Sequence, residues 1–111
     1  MPLLRIVLTV CLLLALGCKG ADIPPDKTAY IGQWRGNDML FELSQSGMVN
    51  YKRHRGGAST SINLPLQKFE GNNLTVGIGP AGTTFSVSAP PHQDEGKWKM
   101  TLDGVELCRD K

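Results

Sequence analysis

The chain has 111 residues, 12 Lys and Arg against 10 Asp and Glu, a formal charge of +2, and 3 cysteines. So even a balance creates no broad basic field, and nucleic acid is not expected as a partner. The length allows one small domain near the lower limit for an unaided core.

Met1 to Arg5 carries one basic side chain, and Ile6 to Leu16, IVLTVCLLLAL, is almost unbroken apolar sequence. That is the n-region and h-region pattern of a secretory signal peptide. A membrane-spanning helix needs about 20 apolar residues, and this run meets Gly17, Cys18, Lys19 and Gly20 well short of that. Cleavage is expected after Gly17, which assigns residues 1–17 to the signal peptide.

Ala15-Leu16-Gly17-Cys18 resembles the lipobox of bacterial lipoproteins, in which a diacylglyceryl group is attached to the cysteine thiol and the freed amine is often acylated too. The resemblance implies a lipid on Cys18 and membrane lipid as the first partner. Two or three chains anchor stably where one binds only marginally. An Asp after the cysteine marks inner-membrane retention in enteric bacteria; Lys19 stands here, which implies an outer-membrane anchor with the domain facing the periplasm. The alternative is ordinary cleavage that leaves Cys18 a plain thiol.

Residues 18–27 contain Lys19 to Lys27, KGADIPPDK, whose Pro24-Pro25 pair favours extended geometry and predicts a tether. At roughly 3.3 Å each, those nine residues reach about 30 Å at most. The domain proper is expected over 28–111. All the aromatics fall within it: Tyr30, Trp34, Phe41, Tyr51, Phe69, Phe85 and Trp98.

From Tyr30 the apolar period is two and glycine turns recur, which predicts an all-β antiparallel fold. About eight short strands are expected: Tyr30 to Arg35, Met39 to Ser44, Met48 to Arg55, Thr60 to Leu64, Leu74 to Ile78, Thr83 to Ser88, Lys97 to Leu102 and Val105 to Arg109. Leu66 to Glu70 extends the fourth or forms its own segment beyond Pro65. Asp103-Gly104 is the clearest hairpin, because a type I′ turn needs positive φ at both central residues. The short connections imply a meander, closed as a small β-barrel or packed as a β-sandwich. Alternation turns Met39, Phe41, Leu43, Leu74, Val76, Ile78, Phe85, Val87, Trp98, Met100, Leu102, Val105 and Leu107 inward. APPHQDEG reads as a longer loop.

Gly32-Gln33-Trp34 on the first strand, with Arg109 at the end of the last, is similar to the lipocalins and their relatives. There a G-x-W closes the barrel floor and an Arg lies across the indole. The resemblance implies structural closure by Trp34 and Arg109, a cation–π contact of ~0.5–2 kcal/mol. A barrel this small is expected to be filled by its own side chains; one holding a small apolar ligand is the alternative.

Tyr51-Lys52-Arg53-His54-Arg55 ends a strand at Gly56-Gly57. Alternation sets Tyr51, Arg53 and Arg55 on one face, a candidate contact for an anionic envelope component or an acidic protein surface, since Arg pairs geometrically with phosphate and carboxylate. The plainer reading is a solvated strand end. Catalytic patterns are lacking: there is no G-x-S-x-G or S-x-x-K, no P-loop and no dinucleotide fingerprint. His92, Asp94 and Glu95 crowd one segment without a Cys or second His, a poor metal site. No cofactor, metal or enzymatic activity is expected.

Cys11 leaves with the signal and lipidation consumes the Cys18 thiol, leaving Cys108 alone; an unlipidated Cys18 could instead form a disulfide with it. The sequence therefore points to a lipid-anchored cell-envelope lipoprotein with a non-catalytic binding or structural role. The alternative is an exported inhibitor, as small β-barrel lipoproteins that block lysozymes are, or a small-ligand-binding barrel of lipocalin type.

Overall fold

The computed structural model describes residues 20–110. Residues 1–17, expected as a signal peptide and containing Cys11, and Cys18, expected as the lipid anchor, lie outside the described residues. A 3-10 helix, Pro25–Tyr30, is followed by nine strands: β1 Gly32–Gly36, β2 Met39–Leu43, β3 Met48–Arg55, β4 Ala58–Glu70, β5 Asn73–Ile78, β6 Ala81–Phe85, β7 Val87–Asp94, β8 Lys97–Leu102 and β9 Val105–Arg109. All neighbours are antiparallel. They form one sheet in the order β6-β5-β4-β3-β2-β1-β9-β8-β7.

First and last strands pair, Trp34 opposite Arg109, so the seam of the sheet falls mid-chain. Its two edges are β6 and β7, although only Ser86 separates them in sequence. Residues on either side of one linker lie within about 7 Å. The two edges must therefore meet at Ser86, and the sheet is curled into a half-barrel. Hydrogen bonds fix that meeting point: Ser86 N donates to Asp103 Oδ1 at 2.8 Å, Asp103 N donates to Ser86 O at 2.7 Å, and Val87 N donates to Asn73 Oδ1 at 2.8 Å.

The concave face is packed with the alternating apolar residues of every strand. Trp34, Phe41, Val49, Leu74, Val76, Met100, Leu102 and Leu107 are fully buried. Phe85, beside the seam, sits 4.8 Å from the Tyr51 ring and 6.0 Å from that of Phe41, tying β6 to strands on the far side of the curl. Burial of each large apolar side chain is worth about 1.5–3 kcal/mol.

Three expectations change and one open alternative is decided. The expected strand Thr83 to Ser88 divides at Ser86 between β6 and β7, and PPHQD, read as loop, extends β7, which makes nine strands. That strand is an edge, where Pro90 and Pro91 forfeit no central ladder and two register shifts accommodate them. Second, of the two readings of Leu66 to Glu70, extension of the fourth strand holds: β4 runs unbroken through Pro65, with Ala58–Pro65 paired to β3 and Leu66–Glu70 to β5. Third, Ile78 is 68% exposed. The β4 partner of β5 ends at Leu66 opposite Val76, so Ile78 overhangs the core. Fourth, the segment read as a tether is docked from Gly20 onward. Gly20 N donates to Ser46 O and Ala21 N to Leu66 O, both at 2.9 Å, and Ile23 packs on the core. A side chain at Gly20 would overlap the Gly47 carbonyl.

Candidate functional site

Two regions concentrate the residues singled out by sequence: the floor of the half-barrel and the β3–β4 hairpin. At the floor, Trp34, Arg109 and Trp98 stand in one row across β1, β9 and β8. Trp34 pairs directly with Arg109, and the β8–β9 register, with Lys99 opposite Cys108, carries on to set Trp98 opposite Arg109. The guanidinium carbon lies 5.6 Å from the Trp34 ring centre and 4.7 Å from that of Trp98, so Trp98 is the nearer stacking partner. Arg109 Nη1 donates to Ala29 O and Trp34 Nε1 to Tyr30 O, each at 3.0 Å.

Those two carbonyls end the 3-10 helix, which is thereby strapped across the floor. Tyr30 OH donates to Asn72 O at 2.9 Å, and its ring meets Phe69 edge-on at 5.1 Å. Burial, and secondarily the negative charge of Asp26, raises the Tyr30 phenol above its ordinary pKa. Gly32 completes the arrangement. Its φ is +136°, and a Cβ there would stand 2.9 Å from Arg109 Cδ. The glycine of Gly32-Gln33-Trp34 leaves room for the arginine that stacks on the tryptophan two residues later.

The β3–β4 hairpin turns through Gly56-Gly57 and carries Lys52, Arg53, His54 and Arg55 at its end. Tyr51, expected as part of the contact face, is instead buried in the core against Phe85, because its face of β3 turns inward there; Arg53, two residues on, is half-buried and Arg55 exposed. Several other cations are paired: Arg35 meets Asp110 at 2.8 Å, Lys68 meets Glu70 at 3.2 Å, and Lys99 meets Asp94 at 3.3 Å. Hydrogen bonding and charge from Asp94, with Glu106 adding to it, raise the Lys99 pKa. Lys52, Arg53 and Arg55 have no such partner within 4.0 Å among the described residues. The His54 ring instead shares a 2.8 Å hydrogen bond with Ser59 Oγ.

His92 Nδ1 lies 2.8 Å from Pro90 O. Among the described residues no group of three His, Cys, Asp or Glu side chains is placed to hold a metal ion. Cys108 is a half-buried free thiol lining an open depression of about 540 Å³ with Arg35, Asn37 and Glu106. The charges there are already engaged, Arg35 with Asp110 and Glu106 with Lys99.

Sequence reasoning missed Trp98 as the third member of the floor row, although Asp103-Gly104 contains the signal. Pairs counted outward from that two-residue turn bring Trp98 opposite Arg109. It also missed the strapping role of the Ala29 and Tyr30 carbonyls, which no side-chain pattern announces. Compared with protein-family models, curated proteins and solved structures, the chain matches none.

Proposed function

We propose that this protein is a lipid-anchored component of the bacterial cell envelope, held through Cys18, that works by binding and not by catalysis. The observation that carries the reading is the apolar run IVLTVCLLLAL leading directly into Ala15-Leu16-Gly17-Cys18. The docking of Gly20 and Ala21 supports it by giving such an anchor a mechanical consequence. Only Lys19 intervenes between Cys18 and a residue hydrogen-bonded to the domain. A lipid on Cys18 therefore holds the β2–β3 turn close to the bilayer, with no long leash. Lys19 beside the anchor supports the outer membrane, with the domain on its periplasmic side.

The binding surface in this reading is the cationic end of the β3–β4 hairpin, with Arg53 and Arg55 meeting an envelope protein or another anionic envelope component. The row of Trp34, Arg109 and Trp98 has an architectural part, closing the floor. The anchor is tested by expressing wild type and Cys18→Ser in a bacterial host with labelled palmitate. Wild type should take up label and partition into detergent, and Cys18→Ser should do neither. Equal partitioning without label in both would overturn the reading.

A further inference from the structure

The half-barrel has a third stretch of open sheet edge besides β6 and β7. Along Ala58–Pro65, β4 pairs with β3 alone; β5 joins β4 only from Leu66 onward. The direction of the unpaired groups follows from the neighbouring bonds. His54 N donates to Asp38 O toward β2, and Leu66 N donates to Gly47 O toward β3. Even residues of β3 thus face β2, odd ones face β4, and even residues of β4 face back to β3. The N–H and C=O groups of Ser59, Ser61 and Asn63 consequently point away from the sheet. Pro65 is next in that outward series, so its missing donor costs the β3 ladder nothing.

Natural sheets blunt such edges with prolines, charges or bulges. Edge β7 has Pro90, Pro91 and two register shifts. From Ala58 to Asn63 no proline or charge occurs, and Ala58 to Ser61 and Asn63 are all exposed. Directly behind this edge stand the unpaired cations: Arg55 opposite Ala58, Arg53 opposite Thr60 and Lys52 opposite Ser61. An added strand would lie about 9–10 Å from β3, two strand spacings away. Because the intervening residues are small, long basic side chains can lean across to it.

We propose that the β4 edge from Ser59 to Asn63 takes an extended acidic segment of a partner protein as an added antiparallel strand. Main-chain hydrogen bonds to Ser59, Ser61 and Asn63 supply the pairing; carboxylates of the added strand beside Ala58 and Thr60 meet Arg55 and Arg53 on the concave face, and one beside Ser61 meets Lys52 on the opposite face. Beside Ile62 and Leu64, which pack on the core, the added strand presents apolar side chains on the concave face. Charge selects this occupant over a second copy. Self-pairing about Ser61 adds a second set of the same cations and, because Ala58 to Asn63 carry no acidic residue, offers neither set a carboxylate. The inference deepens the proposed binding role and is independent of the anchor. A chain without lipid would still pair, and an anchored chain with an inert edge would fail here alone.

The test uses the full-length chain in non-ionic detergent and a fluorescein-labelled peptide in which a valine–glutamate alternation, to lie beside Leu64 to Ile62, runs into glutamates, to lie beside Ser61 to Ala58, read by anisotropy. Saturable binding is expected, weakened at least tenfold by Ser61→Pro, which removes an outward N–H and leaves the β3 ladder whole. The same loss is expected for wild type with a peptide N-methylated at alternate amides, which needs no altered protein. Arg53→Glu with Arg55→Glu should abolish binding, and a valine–lysine peptide should not bind. The proposal is overturned if the glutamate peptide does not bind or if N-methylation leaves affinity unchanged. It is equally overturned if the chain dimerises through this edge, or if only vesicles containing phosphatidylglycerol bind it and do so through the arginines.

Discussion

Trp34 stands directly opposite Arg109 in the β1–β9 ladder, its indole fully buried and 5.6 Å from the guanidinium carbon. The pair joins the first strand to the last, and each partner also grips a carbonyl of the 3-10 helix. Trp34→Ala should cost about 3–5 kcal/mol as a large-to-small core change, and Arg109→Ala about 1.5–3 kcal/mol through its charged hydrogen bond. The double variant should lose about 0.5–2 kcal/mol less than the sum, because residues in contact couple. Urea denaturation of the four proteins measures the difference; strict additivity would show that the stack contributes nothing.

Gly32→Ala should destabilise by about 1–3 kcal/mol through backbone strain at positive φ, aggravated by the contact with Arg109 Cδ. Placed in Arg109→Ala, the same substitution should cost less, since the steric share disappears and only the backbone share remains. Thermal melts of both pairs separate the two shares. An equal cost in both backgrounds would mean that the glycine serves φ alone.

Tyr30 links stability to alkaline pH. Its phenol is held neutral in the fold above the ordinary value, first by burial and then by Asp26. The unfolded chain ionises it near pH 10. Its contribution is therefore complete below about pH 10 and is lost as pH rises through the folded value. Tyr30→Phe, which removes the bond to Asn72 O, should cost about 0.5–1.5 kcal/mol at neutral pH. The gap between variant and wild type should narrow in urea titrations carried to about pH 11. A gap that stays constant would assign the alkaline loss to other groups.

The thiols distinguish the two fates of Cys18. Cys108 is free and half-buried, so the mature denatured chain should react with a single equivalent of thiol reagent once a lipid occupies Cys18. Native protein should react more slowly at that site. No reactive thiol without reductant and two with it would mean a Cys18–Cys108 disulfide in place of the lipid.

Much of this architecture was legible in the chain. Alternation placed Met39, Phe41 and Leu43 in the core, and all three are buried. Asp103-Gly104 predicted its turn, and both residues have positive φ, 48° and 80°. Proline misled at Pro90-Pro91, read as loop but lying on an edge strand at register shifts, and at Pro65 it left break and continuation both open; Pro65 takes an outward position where the β3 ladder needs no donor, and a sheet edge is a tertiary property. The docking of Gly20 was invisible, because its partners at Ser46 and Leu66 are far along the chain. At the hairpin, the cations were plain in sequence. That their neighbour β4 is unpaired along its outer side depended on where β5 joins it.

The anchor at Cys18 is the central claim, and the intact mass of the mature protein, extracted with detergent from a bacterial envelope, tests it most directly. The predicted mass is that of a chain beginning at Cys18 and carrying a diacylglyceryl group, with or without a further acyl chain on the amine. Fragmentation should place the added mass on Cys18. A mature chain of unmodified mass, or one that retains residues 1–17, would contradict the account.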